Sequence, residues 1–121
     1  MKQSKYEVYV LQYFNEKEYI SSVDYECQKR FDELTGYGGG KLSYDFAVYK
    51  RGELYAFIEC QGQQHYMPVG VFGGEEQFAK QQLHDEIKRE YADKLNVRLI
   101  EIPYTIKSYE EVKEILETND I

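Results

Sequence analysis

Carboxylates near the ends of two successive apolar stretches are the residues whose types and spacing could do chemistry here. Asp45 stands within an alternating stretch, residues 42–49, and Glu59 and Gln61 follow an apolar run that begins at Leu54. A tight turn separates the two stretches, so the sequence predicts an antiparallel hairpin that brings Asp45 beside Glu59. Polar groups at the end of a buried hairpin are costly unless they are paired or metal-bound.

A divalent cation is the partner that these residue types suit. Mg²⁺ prefers oxygen ligands and takes one or two carboxylates, which Asp45 and Glu59 would provide, with the backbone carbonyl of Cys60 as a third ligand. Phosphodiester hydrolysis needs charge neutralisation at the phosphate and an activated water, and such a cation supplies both. His65, just beyond the second stretch, adds an ionisable group at the same end.

The elements before and within the hairpin follow from caps and periodicity. Ser4 and Glu7 have the spacing of a capping box, which predicts a helix from about Lys5 to about residue 15. Residues 22–31 alternate and predict a first strand. Gly52 is placed to take a positive φ in the turn of the hairpin, and the glycine-rich residues 34–41 lead into a strand, which argues against a nucleotide-binding loop.

The longest predicted helix runs from Glu75 to about Asn96. Its apolar stripe comprises Ala79, Leu83, Ile87 and Tyr91, followed by Leu95. Periodicity alone places Asp85 and Lys88 on a solvated face, and His84 beside the stripe. A strand over residues 97–102 and a last helix from Ser108 to about residue 117 complete the order α-β-β-β-α-β-α, an α/β fold with a mixed central sheet flanked by helices.

Two segments carry a family resemblance, YDFAVYKRGELYAFIECQGQQHY and QQLHDEIKREYADKLNVRLIEIPY. Asp45 and Glu59-Cys60-Gln61 resemble the motif of the PD-(D/E)xK nuclease superfamily, although Gln61 stands where lysine is commonest. The two segments together look like very-short-patch repair endonucleases and still more like phage EDxHD homing endonucleases. The resemblance implies a restriction-endonuclease-like fold in a single nuclease-like domain, residues 1–121, and a metal-dependent DNA endonuclease.

The same resemblance implies a role for each candidate residue. His65 would act as general base or orient the attacking water, and Asp85 would hydrogen-bond its far nitrogen. Asp45 and the Cys60 carbonyl would bind Mg²⁺, for which Mn²⁺ is expected to substitute. Glu7 would order the metal-bound waters. Independently of the resemblance, Lys88 could approach the phosphate, and His84 is the weaker histidine candidate because it borders the apolar stripe.

Charge and composition bear on the partners. A net charge of −7 predicts weak DNA affinity for the chain alone, hence a separate DNA-recognition partner or a lost recognition module. Because one site cuts one strand, double-strand cleavage would need a homodimer, whereas a single copy would nick. No apolar run is long enough for a membrane span, and the N-terminus lacks a signal peptide, so we expect a cytoplasmic protein. Cys27 and Cys60 are expected to be buried thiols, and the absence of Trp and of zinc-site cysteines argues against mismatch repair.

Simpler interpretations stay open at this point. Glu7 could serve only as a cap, and His65 could be an ordinary surface histidine. Gln61 in place of lysine, together with the net charge, favours a second interpretation, a non-catalytic nuclease-fold protein that binds a partner protein through an acidic, Tyr-rich surface. A structure-specific or RNA-directed nuclease is a third.

Overall fold

The computed structural model describes residues 4–62 and 74–121, which form a four-stranded sheet and three helices. The elements are α1 (Lys5–Glu16), β1 (Tyr25–Thr35), β2 (Lys41–Lys50), β3 (Glu53–Cys60), α2 (Gly74–Lys94), β4 (Arg98–Ile102) and α3 (Tyr109–Thr118). The predicted α/β class and the order α-β-β-β-α-β-α are confirmed. Among these residues, no helix is both long and apolar enough to cross a bilayer.

The sheet is mixed, with the strand order β1-β2-β3-β4. The first three strands are antiparallel neighbours, whereas β4 pairs parallel to β3. Parallel neighbours need a long crossover, and α2 lies in that connection. The carboxyl ends of β3 and β4 therefore meet at one edge of the sheet, where Glu59 lies beside Glu101.

The turn between β2 and β3 sets the register of the hairpin. Arg51 and Gly52 both have positive φ, 55° and 78°, as in the two-residue turns whose twist matches that of the flanking strands. Gly52 was expected in this conformation, but Arg51 was not, because a side chain disfavours it. The turn pairs Lys50 with Glu53, and the pairing continues to Phe46 and Ile58 with one irregularity on the way.

The sheet separates two cores. The larger core lies under α1 and α3 and contains Val10, Tyr13, Phe14, Phe46, Val48, Ala56, Ile58, Ile100, Ile102, Val112, Leu116 and Ile121. The smaller core lies under α2 and contains Leu34, Tyr44, Ala47, Phe57 and Ala92. Ser4 and Ser108 cap α1 and α3, as predicted, by accepting hydrogen bonds from the N–H groups three residues on.

The predicted apolar stripe of α2 is confirmed for Ile87 and Tyr91, which pack against the smaller core, and is wrong for its other members. Leu83 and Leu95 are 40% and 38% exposed, whereas Asp85 and Ala92 are the buried residues of this helix. Only the later turns of this long, mostly polar helix contribute to the smaller core. The face of α2 that contacts the sheet is therefore narrower than its apolar residues predicted.

Two expectations for β1 also need correction. The strand runs from Tyr25 to Thr35, later at both ends than the predicted 22–31. Cys27, on the edge strand β1, is exposed rather than buried; Cys60 is partly buried, and neither thiol forms a disulfide.

Candidate active site

Asp45 lies where the alternation of β2 breaks. Residues two apart in a regular strand share a face, yet Tyr44 packs in the core under α2 and Phe46 in the core under α1 and α3. Ala47, next in the chain, again belongs to the core under α2. The predicted regular alternation, with Asp45 simply opposite its aromatic neighbours, is therefore wrong at this position.

In the neighbouring strand, β1, the alternation of side chains reverses at the same level. Tyr25 packs against the core under α1 and α3 and Phe31 against the core under α2, although their spacing would give them one face in a regular strand. Gln28, between them, has a φ of 51°. The pairs on either side of it, Cys27–Phe46 and Lys29–Tyr44, leave Gln28 opposite Asp45. The kink is thus shared by both strands, and it sets Asp45 at the boundary of the two layers.

Side chains replace the backbone ladder beyond the last β2–β3 pair. The N–H of Asp45 donates to Oε1 of Glu59 at 2.9 Å, and the N–H of Cys60 donates to Oδ2 of Asp45 at 2.8 Å. These bonds satisfy two backbone donors that the splayed strands leave open. They also confirm that Asp45 and Glu59 come together, as the hairpin predicted.

The peptide of Cys60 faces Asp45. In a strand, the N–H and C=O of one residue point to the same side, and the N–H of Cys60 already reaches the Asp45 carboxylate. The next residue, Gln61, turns to the other side and donates its N–H to Ile102 at 2.9 Å. The Cys60 carbonyl therefore lies on the side of Asp45. Burial, then the nearby carboxylates, raise the pKa of its thiol, which argues against a thiolate ligand.

Glu59 is a buried carboxylate with a cationic partner. It is 6% exposed, and its Oε2 lies 3.2 Å from Nζ of Lys88, whose side chain is 13% exposed. Burial, and next the charge of Asp45, raise the pKa of Glu59 to about 8, while Lys88 opposes the rise. The described structure thus pairs the carboxylate that closes β3 with an amine from α2.

Glu7 approaches from the other layer. It occupies the first turn of α1, where its N–H donates to Oγ of Ser4 at 3.2 Å and its Oε1 accepts from the Ser4 hydroxyl at 3.4 Å, so Ser4 caps the helix and holds the Glu7 side chain. Burial and then the charge of Asp45 raise its pKa, and the Ser4 hydrogen bonds oppose that rise. The carboxylate is therefore close enough to Asp45 to be influenced by it, and capping does not remove it from the site.

The polar face of α2 completes the site. Asp85 is 6% exposed and accepts a hydrogen bond from Nε2 of Gln81 at 3.0 Å. The expectation that Asp85 and Lys88 face solvent is wrong. Gln81, Asp85, Lys88 and the buried Ala92 recur every three or four residues, so the helical spacing was a usable signal that the polarity of the residues obscured.

These groups line one cleft of about 340 Å³ at the carboxyl end of β3. Its lining residues are Ser4, Tyr6, Glu7, Asp45, Glu59, Cys60, Gly62, Gln81 and Lys88. Four elements contribute side chains to it. Among the described residues, no three His, Cys, Asp or Glu side chains are grouped so that they could hold one ion. A metal here would therefore rely on one or two carboxylates, a backbone carbonyl and water, as Mg²⁺ does.

The remaining candidates have different placements. Gln61 is 3% exposed at the end of β3. His65 lies in residues 63–73, outside the described residues. His84 accepts a hydrogen bond from the N–H of Tyr37 at 3.0 Å, which ties the β1–β2 loop to α2 and gives this histidine a structural partner.

Comparison with known proteins gives two viral relatives. The chain is 49% identical over 90 residues to uncharacterized protein 094L of Frog virus 3 (isolate Goorha), an alignment that covers 68% of this chain and 56% of that protein. It is 45% identical over 51 residues to uncharacterized protein 307L of Invertebrate iridescent virus 6, covering 41% of this chain and 26% of that protein. The chain thus spans about half of the first relative and a quarter of the second. No family model and no solved structure matches it.

Proposed function

We propose that the protein is a metal-dependent DNA endonuclease. The observation that carries the proposal is the meeting of Glu7, Asp45, Glu59 and Lys88 in one cleft at the edge of the sheet. Burial and then the charge of Asp45 raise the pKa of both Glu7 and Glu59, and carboxylates with perturbed pKa values in a cleft are typical of functional sites. The order and pairing of the strands are those expected for a restriction-endonuclease-like fold of the PD-(D/E)xK superfamily.

The donor set fits Mg²⁺ or Mn²⁺. Asp45 and the carbonyl of Cys60 lie on the same side of the β2–β3 junction, and a cation of this kind is satisfied by few protein oxygens plus water. When bound, the ion would neutralise phosphate charge and lower the pKa of a water molecule. The Cys60 N–H holds the Asp45 carboxylate in place for this role.

The other residues of this chain would position water and protons. Glu7, held by its capping bonds to Ser4, would accept hydrogen bonds from waters beside Asp45. By the family resemblance, His65 would accept the proton of the attacking water. Asp85, buried on α2 and bonded to Gln81, would stabilise the charged imidazole.

The partners follow from charge and symmetry. A chain with a net charge of −7 would hold DNA weakly, so we propose a homodimer or a separate DNA-recognition partner for double-strand cleavage, with nicking by a single copy. The viral origin of both relatives is compatible with the mobile-element setting that the resemblance implies.

Cleavage of supercoiled plasmid tests the proposal. Wild type, Asp45→Asn and the control Asp32→Asn are incubated with Mg²⁺, Mn²⁺ or EDTA. Asp32 is an exposed strand carboxylate paired with Lys41, so its substitution should change nothing at the site. We expect metal-dependent relaxation or linearisation by wild type and Asp32→Asn, and none by Asp45→Asn. Equal activity of Asp45→Asn, or no cleavage by wild type with either metal, would reject the proposal.

A further inference from the structure

We propose that Lys88 is the catalytic amine of this site, binding the scissile phosphate, and that Glu59 positions Lys88 instead of ligating the metal. The inference rests on the proposed function and changes the expected ligand set, in which Glu59 stood beside Asp45 and the Cys60 carbonyl. Lys88 would also supply the positive charge that the strand motif lacks here, because Gln61, a neutral amide, stands where lysine is commonest.

Each carboxylate oxygen of Glu59 already accepts one hydrogen bond. Oε1 accepts the N–H of Asp45 at 2.9 Å, and Oε2 accepts Nζ of Lys88 at 3.2 Å. The side chain is 7% exposed, so it lies beneath the cleft surface. A divalent cation on Oε2 would sit beside the ammonium of Lys88, and two cations sharing one oxygen repel each other. The geometry therefore favours Glu59 as the anchor of Lys88.

Lys88 is held from both ends. Its backbone carbonyl accepts a hydrogen bond from the Tyr44 hydroxyl at 2.7 Å, which fixes this turn of α2 to β2. Its ammonium carries three donors, and Glu59 takes one of them. It is the lysine among the described residues that line the cleft, alongside Asp45 and Glu7. A pre-positioned ammonium can stabilise charge that develops on a phosphate without reorganising.

A purely structural role for Lys88 predicts something different. If Lys88 only neutralises the buried Glu59 carboxylate, replacing both residues by neutral ones should restore activity, because Glu59→Gln removes the charge that needed a partner. If Lys88 contacts the phosphate, the double variant should remain inactive. Glu59→Gln can still accept a hydrogen bond from Lys88, so this single variant should keep part of the activity.

The test combines Mn²⁺ calorimetry with two cleavage assays, on plasmid and on bis(p-nitrophenyl) phosphate. The variants are Lys88→Met, Glu59→Gln, the double variant and Asp45→Asn. We expect Glu59→Gln and Lys88→Met to bind Mn²⁺ within about threefold of wild type and Asp45→Asn to bind at least about tenfold more weakly, since a tenfold change corresponds to one lost ligand interaction of modest strength. We expect Lys88→Met and the double variant to lose roughly 100-fold or more in turnover, the scale of one lost transition-state donor.

The outcomes separate the two proposals. Loss of Mn²⁺ binding in Glu59→Gln, to the level of Asp45→Asn, would make Glu59 a ligand and overturn the inference. Wild-type turnover by Lys88→Met or by the double variant would overturn it as well, while leaving the nuclease intact. Lys88-dependent hydrolysis of the small diester without plasmid cleavage would support the role of Lys88 and reject DNA as substrate. No hydrolysis of either substrate would reject both proposals.

Discussion

Replacing Lys88 by Met in the metal-free protein should cost stability mainly at high pH. The ion pair with Glu59 is buried, with side chains 13% and 7% exposed, so solvent screens it little. Breaking a buried pair of this kind typically costs about 3–5 kcal/mol if the remaining charge has no alternative. Glu59 has such an alternative, because its carboxyl group can remain protonated and therefore uncharged.

The pKa of Glu59 decides when that cost appears. Burial and Asp45 raise this pKa from 4.5 to about 8 with Lys88 present. A group whose pKa is raised in the folded state contributes stability at low pH that is lost as the pH rises toward the folded-state pKa. Wild type and Lys88→Met therefore both lose stability between the two pKa values given above. Above pH 8 wild type levels off. Without Lys88 the pKa of Glu59 lies higher still, so the variant should go on losing about 1.4 kcal/mol per pH unit.

Urea unfolding in EDTA at pH 7, 8 and 9 measures the effect. We expect the stability difference between wild type and Lys88→Met to be about 1.4 kcal/mol larger at pH 9 than at pH 7. Adding Glu59→Gln should abolish this pH dependence. Lys94→Met is a matched control, because Lys94 and its partner Glu33 are 70% and 73% exposed. A difference that stays constant from pH 7 to 9 would refute the reasoning.

Three further substitutions test the framework that positions the site, each by urea unfolding. Tyr44→Phe removes the buried hydroxyl bond to α2 and should cost about 1 kcal/mol, whereas Tyr37→Phe, at a residue 71% exposed, should cost nothing; equal stabilities would contradict the contact. Gly36→Ala would set a Cβ 2.6 Å from a histidine nitrogen of α2 and should destabilise by about 1–3 kcal/mol. Gly40→Ala meets nothing within 4 Å and is its control, so a similar loss in both would rule out the clash. Arg51→Asn should stabilise by up to about 1 kcal/mol, because Asn tolerates the positive φ of this turn, and a loss of stability would contradict that explanation.

The element order was predictable because its signals are local. Capping residues Ser4 and Ser108, the turn at Gly52 and the short apolar strands each act through neighbours in sequence. The pairing of Asp45 with Glu59 was predictable for the same reason, since a tight turn brings the two strands together. The placement of Glu7 near Asp45 came from the family resemblance, because nothing local links α1 to β2.

The kink and the buried polar face were not predictable from periodicity. The sequence of β2 predicts a regular alternation through Asp45, and the reversal lies opposite Gln28, which has a positive φ in the neighbouring strand. The polar face of α2 reads as solvated because Asp85 and Lys88 are charged. In the fold, Lys88 of this face pairs with Glu59 on a different element, and Asp85 is buried one turn away. Both features depend on pairing between elements, which hydrophobic spacing does not encode.

The electrostatics of the cleft favour a ligand over a structural role. Burial and then the charge of Asp45 raise the pKa of both Glu7 and Glu59, so the metal-free fold disfavours the charged form of either carboxylate beside Asp45. A protein selected only for stability would gain by replacing one of them with an apolar side chain. A divalent cation bound at Asp45 would offset these repulsions and, by mass action, stabilise the folded state by an amount that grows with the logarithm of the ratio of ion concentration to Kd. Repulsion among these carboxylates is therefore what we expect of a metal-free site that binds a cation at Asp45 and a separate anion at Lys88.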